Sequence, residues 1–300
     1  MWRLPLALML ASTVPRVSPA PVEFPRTWIQ DHGFAVINRA GQDARGPEVV
    51  RLDDGRWRLF YTVTGQGVAS ARSEDGVHWA AEAGLRLQSR RVVGRDDFDI
   101  ANPWLLRLRD GRWRMHFESN TGHRTPTRLR CAISRTDDPL DFDFERTVIE
   151  IGPSTGLAQA EQGAALIRSD GVHILLFFGR LLRGEAEGIM LATSPDGLAW
   201  EIENRILFPG GQAPALVEFA PGQIACAFQT ASSSFAVSTS SDGLTWTPPA
   251  PLTLLNRNGR GLSSATDALC LHRLDGGDLR LLANAREGLI ALFPAGVLPD

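Results

Sequence analysis

One seven-residue pattern is written three times in this chain. Ser73-Glu74-Asp75-Gly76-Val77-His78-Trp79, Ser194-Pro195-Asp196-Gly197-Leu198-Ala199-Trp200 and Ser240-Ser241-Asp242-Gly243-Leu244-Thr245-Trp246 share S-x-D-G-x-x-W. In a tight turn the Ser and Asp side chains bond main-chain amides, Gly supplies a positive φ, and Trp folds back over apolar surface. Such a turn is a structural device first. The stretch ahead of it repeats as well, in 46–61, 102–117 and 164–177, and more weakly in 215–225 and 268–280. The turn glycines of these stretches are Gly55, Gly111, Gly171, Gly222 and Gly277, spaced by 56, 60, 51 and 55 residues. Each unit reads as strand, tight turn, strand, loop, strand, Asp-Gly turn, strand. Four-stranded units repeating at a period near fifty predict an all-β, five-bladed β-propeller with antiparallel blades.

The repeat runs nearly from end to end, so 22–300 is expected to be a single domain. An apolar share of 43% is ample for its core, and a net charge of −3 points to neither nucleic acid nor a membrane surface as partner. All 31 basic residues are arginine. That reads as the codon usage of a GC-rich genome, ahead of phosphate or carboxylate recognition. Cys131, Cys226 and Cys270 are odd in number and far apart, which gives neither a disulfide framework nor a zinc site; they read as buried small hydrophobes. Residues 1–20 resemble a weak export signal: Arg3, the apolar run from Leu4 to Ala11, then Ser18-Pro19-Ala20. A periplasmic or secreted protein is expected ahead of a cytoplasmic one, and no later stretch is long and apolar enough to span a bilayer.

The fifth unit holds only three strands of its own, near 268–274, 279–283 and 289–293. The strand-like segments Thr27-Trp28-Ile29 and Phe34-Ala35-Val36-Ile37 are available to complete it and so close the ring, removing open edges. The second unit lacks the heptapeptide. A longer turn, Ser134-Arg135-Thr136-Asp137-Asp138-Pro139-Leu140-Asp141-Phe142, stands in its place, with Phe142 expected where the others have Trp. Its carboxylates, with Asp143, lack the D-x-D-x-D-G spacing of a calcium loop and read as a solvated turn.

In a propeller the residues ahead of each first strand and those ending each second strand meet at one mouth of the central channel. The first set contains Asp43, Arg45, Asp99, Asn102, Glu161, Gln162 and Asp267; the second contains Thr62, Glu118, Arg180, Gln229 and Arg286. Asp43 and Asp99 stand at the same offset, twelve residues before their turn glycines. Trp104 offers a stacking face for a sugar ring or, equally, a core side chain. His116 and His173 sit alone in strands and read as packed residues.

This architecture resembles the five-bladed propeller glycosidases, the group of arabinanases, xylosidases and invertase-like enzymes. In that group blades one and two open with Asp-Pro and blade three with a Glu before Gly or Cys. The resemblance implies a base or nucleophile Asp, an orienting Asp that tunes pKa and an acid Glu. The heptapeptide turns are also similar to the Asp-boxes of sialidases, which need a sixth blade and three clustered arginines. Here the Asp-Pro positions read Gly46-Pro47 and Asn102-Pro103. The expected working carboxylates are therefore Asp43, Asp99 and Glu161, with Glu161 as the acid. Arg45, Asn102, Trp104, Glu118, Gln162, Arg180, Gln229, Asp267 and Arg286 are the expected substrate-binding set. The alternative for both loop aspartates is turn capping. Glycoside hydrolysis through carboxylate acid–base chemistry is the leading expectation, with a non-catalytic carbohydrate-binding or scaffold propeller as its rival. A monomer acting on an oligo- or polysaccharide, without metal or cofactor, is expected.

Overall fold

The computed structural model describes residues 22–31, 35–37, 43–90, 93–95, 97–123, 125–184, 186–232, 234–262, 268–286 and 288–296. The export signal expected in 1–20 lies outside them. These residues form strands and turns without a helix, so none holds a helix long and apolar enough to cross a membrane.

Two short strands come first, β1 (Thr27–Gln30) and β2 (Val36–Ile37). Unit one is β3 (Ala44–Arg51), β4 (Trp57–Val63), β5 (Gly67–Ser73), β6 (Ala80–Ala81) and β7 (Leu87–Gln88). Unit two is β8 (Asp99–Arg107), β9 (Trp113–Asn120), β10 (Arg128–Ser134) and β11 (Phe142–Ile149). Unit three is β12 (Leu157–Ile167), β13 (His173–Leu181), β14 (Glu187–Ser194), β15 (Glu201–Ile202) and β16 (Phe208–Pro209). Unit four is β17 (Gln212–Ala220), β18 (Gln223–Gln229), β19 (Phe235–Ser240) and β20 (Ala250–Leu255). Unit five has β21 (Leu269–Arg273), β22 (Leu279–Ala285) and β23 (Gly288–Pro294).

Within each unit consecutive strands pair antiparallel, and the first strands lie against one another in cyclic order: β3 on β8, β8 on β12, β12 on β17, β17 on β21, and β21 on β3. A separate apolar cluster fills each junction between neighbouring units, including the one joining Cys270, Leu282 and Leu289 of unit five to Leu59 and Tyr61 of unit one. The fourth strand is broken in units one and three, where two short pieces flank the third strand. It is broken the same way in unit five, where β1 and β2 both pair with β23. One pairing has no signal in the sequence. β1 also runs parallel to β20, Thr27 opposite Thr253, and so joins the outer edges of units four and five. Trp28, fully buried there, donates its Nε1–H to the Pro25 carbonyl at 3.0 Å.

All five turn glycines have positive φ, between 68° and 91°, as their place in the tight turns requires. The three heptapeptide turns are nearly superposable in their bonds. Ser240 Oγ accepts from the Gly243 N–H at 2.8 Å, and Asp242 Oδ1 accepts from Leu244 and Thr245 N–H at 2.8 and 2.7 Å. The same bonds recur around Ser73 and Ser194. Main-chain donors hold the Asp196 and Asp242 carboxyls below the usual range, Asp242 at about 2, while, against the opposing effect of burial, the His78 ring leads in lowering Asp75. Trp79, Trp200 and Trp246 pack against the clusters between units, as expected of inter-blade residues. In unit two Phe142 is buried and meets Phe60 of unit one edge-on at 6.3 Å, so it does stand in for the Trp. Two of the acidic residues of that turn form ion pairs, Asp138 with the buried Arg58 and Asp143 with Arg135. The three cysteines are free and buried, and His116 and His173 are packed inside, as expected.

Candidate functional site

Among the described residues, four first strands carry a bulge at the same place. Register slips between Arg45 and Glu48, Ala101 and Trp104, Glu161 and Ala164, and Gln212 and Ala215. At each slip one residue has left-handed φ: Gly46 at 56°, Asn102 at 47°, Gln162 at 50° and Ala213 at 50°. All four lie nine residues before their turn glycine. Asn tolerates this conformation, whereas Gln and Ala are held in it at a cost of about 1–2 kcal/mol each.

The N–H turned out at each bulge is taken by a side chain, and three of the four acceptors come from a common position. Gly46 N–H donates to Asn284 Oδ1 at 3.2 Å, Asn102 N–H to Thr62 Oγ1 at 2.9 Å, and Gln162 N–H to Glu118 Oε2 at 2.7 Å. Thr62, Glu118 and Asn284 each stand seven residues after a turn glycine, on the second strand of the preceding unit. In unit three that position is Phe178, which cannot accept a bond. There the Ala213 N–H donates to Gln162 Oε1 at 3.1 Å. The openings are thus linked from unit to unit by polar side chains.

These links floor a pocket of about 290 Å³, with Arg45, Asp99, Asn120 and Thr127 on its walls. Beneath it a channel cavity of about 250 Å³ is lined by residues of all five first strands, including Glu48 and His272. Glu118 is the electrostatic centre of the pocket. Burial raises its pKa to about 7, and the charges of Glu161 and Asp99 push the same way, against hydrogen bonds from Gln162 and Asn102. Glu48 is pushed up to about 8 by burial, although Leu105 N–H donates to it at 3.3 Å.

The expected site residues divide. Asp99, Asn102, Glu118, Gln162 and Arg45 meet at the pocket. Glu161 stands one residue from the bulge and accepts from Thr127 Oγ1 at 2.9 Å. Asp43 lies outside the pocket, its half-exposed carboxylate paired with Arg45 at 2.6 Å. Trp104 is 1% exposed, its ring stacked 5.3 Å from His116, so it presents no face to a ligand. Gln229 is buried and accepts from Gln212 Nε2 at 3.0 Å. Arg180 and Arg286 lie two residues beyond the positions of Phe178 and Asn284, outside the pocket walls. Asp267 falls outside the described residues. Sequence reasoning missed Asn284, and the count of seven from Gly277 would have found it. No group of His, Cys, Asp and Glu among the described residues is arranged to hold a metal ion.

No family model matches the chain, and curated proteins give no match either. Solved structures do. An endo-arabinase from Bacteroides thetaiotaomicron superposes with a TM-score of 0.66 over 90% of this chain and 99% of that one, at 14% identity. An α-L-arabinofuranosidase from Lactobacillus brevis gives 0.66 over 86% and 92%, at 12% identity. A thermostable family-43 glycoside hydrolase gives 0.62 over 86% and 91%, at 16% identity. The chain shares the fold of the five-bladed β-propeller glycosidases. The acids implied by that resemblance precede Pro in units one and two and Gly or Cys in unit three. Gly46, Asn102 and Gln162, each at a bulge, are the residues that stand before Pro47, Pro103 and Gly163 in this chain. At these positions the propeller carries a glycine and two amides.

Proposed function

We propose that the five units close as a five-bladed propeller, with β1 and β2 completing the last blade, and that its mouth binds a carbohydrate without cleaving it. The observation that carries this reading is the absence of a carboxylate at all four bulged openings, Gly46, Asn102, Gln162 and Ala213. Glycoside hydrolysis needs one acid at the leaving oxygen and one carboxylate to attack or to activate water. Amides supply neither. They do supply paired donors and acceptors, which suit sugar hydroxyls, and Thr62 and Glu118 fix the backbone of Asn102 and Gln162 through their main-chain N–H groups before a ligand arrives. In this reading the protein works as a monomer outside the cytoplasm.

Calorimetric titration with a panel of mono- and oligosaccharides tests it. Asn102→Gly removes the amide while keeping a residue at ease with φ of 47°. It should weaken the best ligand about tenfold or more, the worth of one or two hydrogen bonds. Wild-type affinity in that variant, or no binding to any sugar, would overturn the reading.

A second reading, hydrolysis, is favoured by Glu118, whose pKa of about 7 beside Asp99 and Glu161 suits a general acid. It requires turnover of an aryl glycoside with a bell-shaped pH profile, and a loss of about a hundredfold in kcat for Glu118→Gln.

A further inference from the structure

Between units one and two lies a groove of about 620 Å³. Ile100 lines both this groove and the pocket at the mouth. The groove is walled by Arg86, Arg90, Arg95, Arg130 and Arg135 against two carboxylates, Asp97 and Asp143. Among the described residues that is an excess of three positive charges, in a chain whose net charge is −3. It is a local concentration, opposite in sign to the molecule as a whole.

The guanidinium groups are already set for carboxylates. Arg135 grips the two oxygens of Asp143 through Nε and Nη2 at 3.0 and 2.7 Å. Arg95 does the same to Asp97 at 3.0 and 3.4 Å, and Arg90 approaches that carboxylate at 3.3 Å. Arg86 bonds only main-chain carbonyls, those of Ala83, Gly84 and Leu140. Phe144 on β11 is 53% exposed, with the Arg130 guanidinium 4.8 Å over its ring. An exposed ring among planar cations offers the apolar face of a sugar something to lie on and its acid group a fork to enter.

We infer that this groove binds a uronate-bearing stretch of the same polysaccharide whose neutral part enters the mouth, an inference that rests on the carbohydrate reading. The ligand is then a mixed polymer, with hydroxyl recognition at the channel and carboxylate recognition along the cleft between units.

The probes are polygalacturonate and alginate, with dextran and dextran sulfate as neutral and sulfated controls, titrated into the full chain at 50 and 500 mM NaCl. Both uronates should bind at low salt and weaken about tenfold or more at high salt, as screened charge contacts do. Arg90→Gln with Arg135→Gln changes two exposed side chains, 61% and 63% accessible. It should lower uronate affinity about tenfold and leave neutral sugars at the mouth unaffected. The inference is overturned if dextran binds as well as the uronates, if dextran sulfate alone is retained, or if the double variant matches wild type. Neutral sugars binding at the mouth without any uronate binding would remove the groove and leave the proposed function standing. No binding of either kind would remove both.

Discussion

The rim turns and the channel mouth are built by the same repeat, yet they keep different things. At the rim the side chains are kept in three units: Ser and Asp recur because they bond the same main-chain N–H groups, and Trp because it packs between units. In units three and four the Trp closes the turn on itself, Trp200 and Trp246 Nε1–H donating to the Gly197 and Gly243 carbonyls at 3.2 and 3.1 Å. At the mouth only the backbone is kept. Gly46, Asn102, Gln162 and Ala213 share one conformation, and only Asn102 and Gln162 have a side-chain group in common, the carboxamide. A packed turn tolerates little change in its residues. An opening onto a channel can hold its geometry while the side chains it presents vary. The first rim turn shows the limit of that contrast, since Trp79 Nε1 is buried with no acceptor and Gly76 O instead lies 3.4 Å from His272 Nε2.

The largest effect should therefore be at the rim. Trp200→Ala and Trp246→Ala should each lower stability by about 3 kcal/mol or more in denaturant unfolding, with sugar binding intact. Trp79→Ala should be milder by about 1 kcal/mol, the worth of the bond it lacks. Equal losses at all three would break the distinction within the rim. Next comes the backbone of the mouth. An alanine Cβ at Gly46 would lie 2.2 Å from Asn102 Oδ1, on a residue with φ of 56°. Gly46→Ala should cost about 2 kcal/mol and displace the Asn102 amide, so binding falls with stability.

The channel groups give a pH signature of intermediate size. Glu48 holds its proton up to about pH 8 when folded, against a usual value of 4.5. Its stabilising contribution is full below 4.5 and is lost as pH rises through 8; Glu118 has the same sign up to about 7. His116 and His272, held down to about 4 by burial, act oppositely: they contribute above 6.5 and fail as pH falls towards 4. From pH 6.5 to 8 only the glutamates are at work among these four. The melting temperature should drop by several degrees over that window, and Glu48→Gln should flatten the drop. The smallest effect is Ala213→Gly, which relieves left-handed φ at a non-glycine residue and should gain up to about 1 kcal/mol.

The fold was legible because its periodicity is carried by turn glycines and tryptophans that packing does not let vary. The five units, the N-terminal strand of the last one and Phe142 in place of Trp all followed from that. The parallel pairing of β1 with β20 did not, since pairing across an outer edge leaves no period in either strand. At the mouth the nearest carboxylates, Asp43 and Asp99, stand three residues short of the bulge. Glu161 stands one residue from it, and in a strand one residue of slip changes the face. The signal was in the chain: nine residues before each turn glycine stand Gly46-Pro47, Asn102-Pro103, Gln162-Gly163 and Ala213-Pro214. None of the four bulge positions holds an acid, so carboxylate spacing alone does not point to them.

The central claim is recognition without cleavage, and product release measures it most directly. The glycan that binds most tightly in titration is incubated with the purified protein for a day at pH 5, 7 and 8, and new reducing ends are counted. The expected result is a glycan recovered intact at every pH, by wild type and by Glu118→Gln alike. Reducing ends released by wild type, fastest near pH 7 and lost in Glu118→Gln, would contradict the claim and make this mouth an active site.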